Sequence, residues 1–394
     1  MCQNLCRGVT NFVDRRTESE YSFGKLLTSA HSLSAKCFGI EENMYNLSKE
    51  ESDRIRIIKF IAIILVVYFH SYTTGVNFSD GTNMLYLPGW LQVIEKGVSQ
   101  VIAGCNVQIF FLLSAILLFR SEQRYGTVLK KKIRTLLLPY LIWNTFWVAV
   151  FVVLQSLPFT TVYFSGNNTP ILQSSAKEWL GLYGIGRNFP QCYPLWFIRD
   201  LIVIILIFPV IKAVVNRFPR IMLCIGILLT IFPFSFYCKT ALAWSLMGAA
   251  IVKMQIHMAV LDKISMTKIS AAYLVGALAA YFLDIGAVRS IFTLTGVLFW
   301  VRISREIYVR GSIRKSFLWM SQWTFMIYVL HEMTLTSIRK VCLRLLPTSP
   351  INLLLEYLLI PMSVITGCII TGIILKKCMP GLYLFVTGER SAYR

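Results

Sequence analysis

RIRIIKFIAIILVVYFHSY, residues 54–72, is the stretch that decides the architecture. Three basic residues lead into an apolar run that ends at His70. A run of roughly 18 apolar residues is long enough to cross the hydrocarbon core of a bilayer as a helix. The stretch therefore predicts a membrane helix over about 56–75 with two ionisable residues inside it, Lys59 and His70. They lie eleven residues apart. At 100° per residue both project from one face, about 20° apart around the axis and about 16 Å apart along it. Ionisable groups at membrane depth are costly and face a cavity, a partner or the interface. Two readings are open for the pair. Either Lys59 snorkels to one interface and His70 hydrogen-bonds near the other, or both line a working site in which His70 serves as a base near neutral pH.

Moving outward, the same kind of block recurs. Further apolar runs cover about 98–119, 136–156, 195–212, 220–236, 240–255, 268–283, 286–303, 318–338 and 352–375, giving about ten helices. Composition agrees. Of 394 residues, 56% are hydrophobic and 15% charged, against about a quarter charged in soluble domains. The formal net charge of +20 sits mainly in loops. That is the pattern of segments retained on the cytoplasmic side and attracted to anionic lipid, and it excludes nucleic acid as the natural partner. The loop RSEQRYGTVLKKKIR (120–134) has six basic residues against one acid, so it should be cytoplasmic. Both termini then face the cytoplasm, and the long loop of about 157–193 is external. Arg339, Lys340 and Arg344 disagree, because they follow the ninth block on the external side. Residues 1–52 read as a polar, partly disordered cytoplasmic arm, 53–380 as the membrane domain and 381–394 as a short cytoplasmic tail. The arm contains no apolar run that would serve as a cleavable signal. Ten cysteines without a CxxC offer no zinc or disulfide framework. No metal-ligand cluster or glycine-rich phosphate loop is present. Asn46, Asn77 and Asn167 start N-x-S/T triplets at a frequency expected by chance.

Three more stretches carry chemistry. In LKKKIRTLLLPY (129–140), Lys131 and Arg134 become neighbours if the helix of the third block begins early. Fixed cations at a membrane edge suit a phosphate-bearing ligand, and equally a topology signal. In PLWFIRDL (194–201), Arg199 and Asp200 lie inside an apolar helix. Adjacent helical residues face apart, so each is expected to need another partner. Trp196 fits an interfacial ring or an aromatic wall. In FMIYVLHEM (325–333), His331 falls at the depth of His70, with Glu332 beside it.

Taken together, these stretches resemble the acyltransferase-3 family of bacterial membrane acyltransferases. KFIAIILVVYFH fits the family's Arg/Lys, ten residues, His pattern from Lys59 to His70. KKKIRTLLLP fits its basic R-x-x-R-like motif before a proline, with Lys131 in the first place, then Arg134 and Pro139. NVQIFFLLSAILLF is similar to its second helix, with Ala115 where glycine is usual. PLWFIRDLIV and FMIYVLHEM resemble later helices. The resemblance spans about 54–375. It implies an all-α polytopic bundle in a bacterial inner membrane and transfer of an acyl group, normally acetyl from acetyl-CoA, to a hydroxyl of a surface or secreted carbohydrate. It implies Lys131, Arg134 and Lys59 on the donor phosphates, and His70 as base or transient acyl carrier. Arg199 or His331 would stabilise the oxyanion, with Asp200 in the same site and Trp196 and Glu332 on the acceptor. A transporter or flippase of an anionic or glycan substrate is the competing expectation; the halves of the chain show no clear internal repeat of the kind such proteins often carry.

Overall fold

The computed structural model describes residues 45–72, 87–160, 170–186, 189–283 and 285–388. Residues 1–44 of the arm expected over 1–52, and the triplets at Asn77 and Asn167, lie outside them. From Leu47 onward the chain forms one compact unit. Among the described residues it is all-helical, without strands.

The first helix, α1 (Lys49–Phe69), begins well before its apolar stretch because a capping box starts it. Ser48 Oγ accepts from the Glu51 backbone N–H, and Glu51 accepts from the Ser48 N–H in return. Its first turns are anchored by Arg54, which is 1% exposed. Arg54 grips Asp262 with two nitrogens (2.7 and 3.0 Å) and donates to Ser304 Oγ and the Val301 carbonyl. Beside it, Glu51 accepts from the Met258 N–H and sits 3.0 Å from His257 Nδ1. Burial pushes the Glu51 carboxyl up, but the bonds from Ser48, His257 and Met258 outweigh it and hold the group below its ordinary range. These contacts tie the start of α1 to the segment before α10 and to α11, whose ranges follow.

Two long helices come next, α2 (Gly89–Phe119) and α3 (Tyr125–Ser156). Each contains a π-helical turn, Lys96–Val101 in α2 and Ile133–Leu137 in α3. The second has a local cause. Pro139 lacks an N–H and its ring crowds the carbonyl four residues back; that residue, Thr135, lies inside the widened turn. Because α3 starts at Tyr125, Lys131 and Arg134 do share one continuous helix. Then follow α4 (Ala176–Leu182), α5 (Trp196–Leu206), α6 (Phe208–Arg217), α7 (Pro219–Ile231), α8 (Lys239–Lys253), α9 (Ala259–Asp262), α10 (Met266–Phe282), α11 (Gly286–Val309), α12 (Gly311–Met320), α13 (Thr324–Leu345), α14 (Pro350–Cys378) and α15 (Pro380–Thr387). The residue before a proline is pushed away from helix; Phe218 precedes Pro219, and α6 and α7 bend there by 119°.

Four described helices are long and apolar enough to span a bilayer, α2, α3, α11 and α14, or five if the bent α6–α7 pair counts as one. The ten apolar blocks thus do not become ten uninterrupted spans. The fourth block breaks at Ile207 before Pro209, and α10 is shorter. The first half of α1 holds Asp53, Arg54, Arg56 and Lys59. The bundle wears its apolar residues outward, as a lipid-facing surface does: Phe159, Phe282 and Leu345 are more than 70% exposed. Its core is α1, with Phe60, Ile63, Val66 and Val67 packed against Ile327 and Leu335 of α13 and Ile360 and Val364 of α14. Ala115, the position where the resemblance leads one to expect glycine, meets a glycine across the interface. Ala115 packs on Gly248 of α8, where an added Cβ would fall 2.5 Å from the Ala115 methyl.

Removing one partner of a buried ion pair costs about 3–5 kcal/mol. Arg54→Ala is therefore expected to lower thermal stability in detergent by that order, and replacing the exposed Arg310 by Ala to leave it within about 0.5 kcal/mol. Unfolding curves of the two variants check this.

Candidate active site

The connection between α4 and α5 (residues 183–195, of which 187 and 188 lie outside the described residues) does not stay at the surface. It descends beside the apolar mid-part of α3 and the first turns of α13. Irregular backbone at that depth must have its polar groups met by protein. Side chains from the spans do so. Asn144 of α3, fully buried, donates to the Leu182 carbonyl (2.9 Å) and accepts from the Cys192 N–H (3.0 Å). Tyr140 donates to the Tyr183 carbonyl and Tyr328 of α13 to the Pro194 carbonyl. Gly184 turns at φ +77°, where a Cβ would meet the Tyr140 hydroxyl at 3.1 Å and the Arg199 side chain at 3.3 Å; only glycine takes that turn without strain.

This connection presents Tyr193 to His70, ring centroids 5.7 Å apart and nearly perpendicular. His70 is the C-cap of α1, at the end of its last turn rather than within a helix running to residue 75. On its other side lies His331, ring centroids 5.5 Å apart. The two histidines expected at one depth are thus side by side. They differ in access: His70 is partly exposed, His331 fully buried. His331 Nδ1 lies 2.9 Å from the Ile327 carbonyl and 3.0 Å from that of Tyr328. Carbonyls only accept, so Nδ1 carries the proton and Nε2 presents a lone pair. That nitrogen has no hydrogen-bond partner among the described residues, and neither has Oε2 of Glu332. In the neutral ring this tie leaves Nε2 as an acceptor.

Arg199 and Asp200 also depart from expectation. They bond each other: Arg199 Nε and Nη2 donate to Asp200 Oδ1 at 3.0 and 2.8 Å. The long guanidinium arm curls back over one residue, which the facing rule for short side chains does not forbid. The guanidinium also lies 5.1 Å from the Tyr237 ring. Trp196 stands in a chain of aromatic contacts, 6.1 Å from Phe111 and 6.4 Å from Phe189, which is 4.5 Å from Tyr193. Lys59 is partly buried along α1. Lys131 and Arg134 are exposed at the start of α3. α15 folds back on α3 beyond them: Trp143 donates to the Val386 carbonyl, and Gly388 (φ +67°) lies against the Arg134 carbonyl, Thr135 and Pro139.

Tyr193, Asn144 and Tyr328 are the residues the sequence reading missed. A signal existed for one, since Asn144 is a lone amide in LIWNTFW, an apolar block. Among the described residues no group of His, Cys, Asp or Glu is arranged to hold a metal.

The geometry can be set against known proteins. The acyltransferase domain family matches residues 52–373. The succinoglycan biosynthesis protein ExoH of Rhizobium meliloti (strain 1021) is 30% identical over 177 residues, which is 44% of this chain and 45% of that protein. No solved structure matches.

Orphaning a buried polar group costs about 1–3 kcal/mol. Asn144→Ala orphans the Cys192 N–H, while the Leu182 carbonyl keeps the Gln191 N–H, so the connection should loosen around Cys192 while the helices persist. Limited proteolysis is expected to cut between residues 183 and 193 in that variant and not in the wild type; equal resistance would refute the clamp.

Proposed function

The chain belongs to the acyltransferase domain family, and on that premise we propose that it moves an acyl group, most simply acetyl, from cytosolic acyl-CoA to a hydroxyl of a surface or secreted glycan. The single observation that carries this is the histidine pair, an accessible ring backed by an inaccessible one whose Nδ1 is held by backbone carbonyls. A base oriented by a second group is the arrangement that activates a hydroxyl nucleophile. The similarity to a succinoglycan biosynthesis protein supports a polysaccharide acceptor, and a bacterial inner membrane is the setting that such an acceptor and a cytosolic donor require.

His70 takes the proton from the acceptor hydroxyl. The oxygen attacks the thioester carbonyl carbon, the C–S bond breaks, and the coenzyme A thiolate leaves with that proton. With the two rings 5.5 Å apart, the lone pair of a neutral His331 Nε2 can accept the second ring N–H of His70 as it reorients, which strengthens the base. Glu332, with its partnerless Oε2, accepts from a sugar hydroxyl. Trp196, Phe189 and Tyr193 offer faces for the sugar ring or the pantetheine arm. Lys131 and Arg134, exposed and one turn apart, meet the donor phosphates at the cytoplasmic edge, with Lys59 further along the path. Arg199, neutralised by Asp200, shapes the site beneath Tyr140.

Two outcomes test the reading. In a glycan-producing host, ester-linked acetyl should disappear with His70→Ala, and an acyl mark independent of the protein would leave the transporter alternative standing. In membranes, Lys131→Ala combined with Arg134→Ala should raise the donor KM about tenfold or more, the loss of about 1.4 kcal/mol of binding, with kcat little changed. Unchanged donor dependence would remove these two residues from the donor site.

A further inference from the structure

The widened turn in α2 has no proline to explain it, and π-helical turns frequently mark functional positions. This one, Lys96–Val101, carries Ser99, which is fully buried. Ser99 Oγ donates to the Tyr68 carbonyl at 2.5 Å and lies 2.8 Å from Tyr357 Oη of α14. A carbonyl only accepts, so the serine proton is committed to Tyr68 and the tyrosine must donate to the serine. Tyr357 to Ser99 to Tyr68 is thus a one-way relay from α14 through α2 into the last turn of α1. Tyr68 is two residues before His70.

A helix leaves its last four carbonyls without helical partners. Here three of them are met. Val66 O accepts from the His70 N–H, Val67 O from Ser71 Oγ, and Tyr68 O from both the Ser71 N–H and Ser99 Oγ. Tyr68 and Tyr357 also meet edge to face, 6.2 Å apart. One turn away charge draws α13 toward α2 and α14, the two helices that feed this relay. Arg339 of α13, 2% exposed, is attracted by Glu95 at the mouth of the widened turn and by Glu356, the neighbour of Tyr357. This gives Arg339, one of the three basic residues that disagreed with the loop-charge pattern, a place inside the bundle.

We propose that Ser99 and Tyr357 are positioning residues for His70, holding the last turn of α1 so that its ring stands between His331 and Tyr193. The proposal rests on His70 as the base of the proposed reaction. A displacement of about 1 Å at a reacting group can cost on the order of 10²-fold in rate. In purified protein, Ser99→Ala should lower kcat for acyl transfer by about 10–100-fold and leave the donor KM within about twofold. Ser99→Thr, which keeps the hydroxyl, should recover most of it, and Tyr357→Phe should fall between. A second readout needs no turnover: carbethoxylation of His70 by diethyl pyrocarbonate, followed by mass spectrometry, should be faster in Ser99→Ala than in the wild type. Wild-type kcat and wild-type labelling in Ser99→Ala overturn the proposal. So does a Ser99→Thr variant as slow as Ser99→Ala, which would make the residue a matter of packing volume. If the wild type transfers no acyl group while His70 labelling still follows Ser99, the acyltransferase reading fails and the positioning stands.

Discussion

Hydrocarbon offers no hydrogen bonds, and every irregular backbone group at membrane depth must be met by protein. The connection between α4 and α5 exists under that constraint, and the rest of the site follows from it. Without the Asn144 amide, the Tyr140 hydroxyl and the Tyr328 hydroxyl, its carbonyls and amides would stand unpaired inside the bundle. With them, a non-helical segment reaches the middle of α3 and the first turns of α13 and sets an aromatic ring on His70. Two helices, α3 and α13, therefore cooperate to hold one wall of the site.

The helix that carries His70 is fixed at both ends by different means. At its start, Arg54 with Asp262 and Glu51 with His257 bind it to α11 and to the segment around α9. At its end, carbonyl capping and the Ser99 relay bind it to α2 and α14. Between these anchors its apolar faces pack on α13 and α14. A helix held in this way transmits little play to its last residue, which suits a base that must stay within hydrogen-bond reach of a hydroxyl.

Much of this was legible in the sequence. The apolar blocks, and His70 and His331 at one depth, follow from helix rise alone, and the structure brings the two rings together. Continuity of α3 through Lys131 and Arg134 was readable for the same reason. What was not legible depends on long arms or on distant partners. Arg199 bonds its neighbour Asp200 because a guanidinium reaches back where the helical position does not. Tyr193 sits in a loop, and nothing in QCYPL says that the loop descends. Helix ends were displaced wherever a capping box, as at Ser48, or a proline-driven turn, as before Pro139, overrode apolar content. Arg339 looked misplaced because a charge pattern cannot show that Glu95 and Glu356 await it on two other helices.

In the proposed reaction the donor binds beside Lys131 and Arg134 and the acceptor is activated at His70, and the acyl group must pass between them. Proteoliposomes of uniform orientation, given labelled acetyl-CoA on the face of Lys131 and Arg134 and a glycan acceptor on the other face only, measure that crossing directly. The account predicts labelled ester on the acceptor with wild-type protein and none with His70→Ala. Label appearing only when donor and acceptor share a face, or appearing equally with His70→Ala, would contradict it.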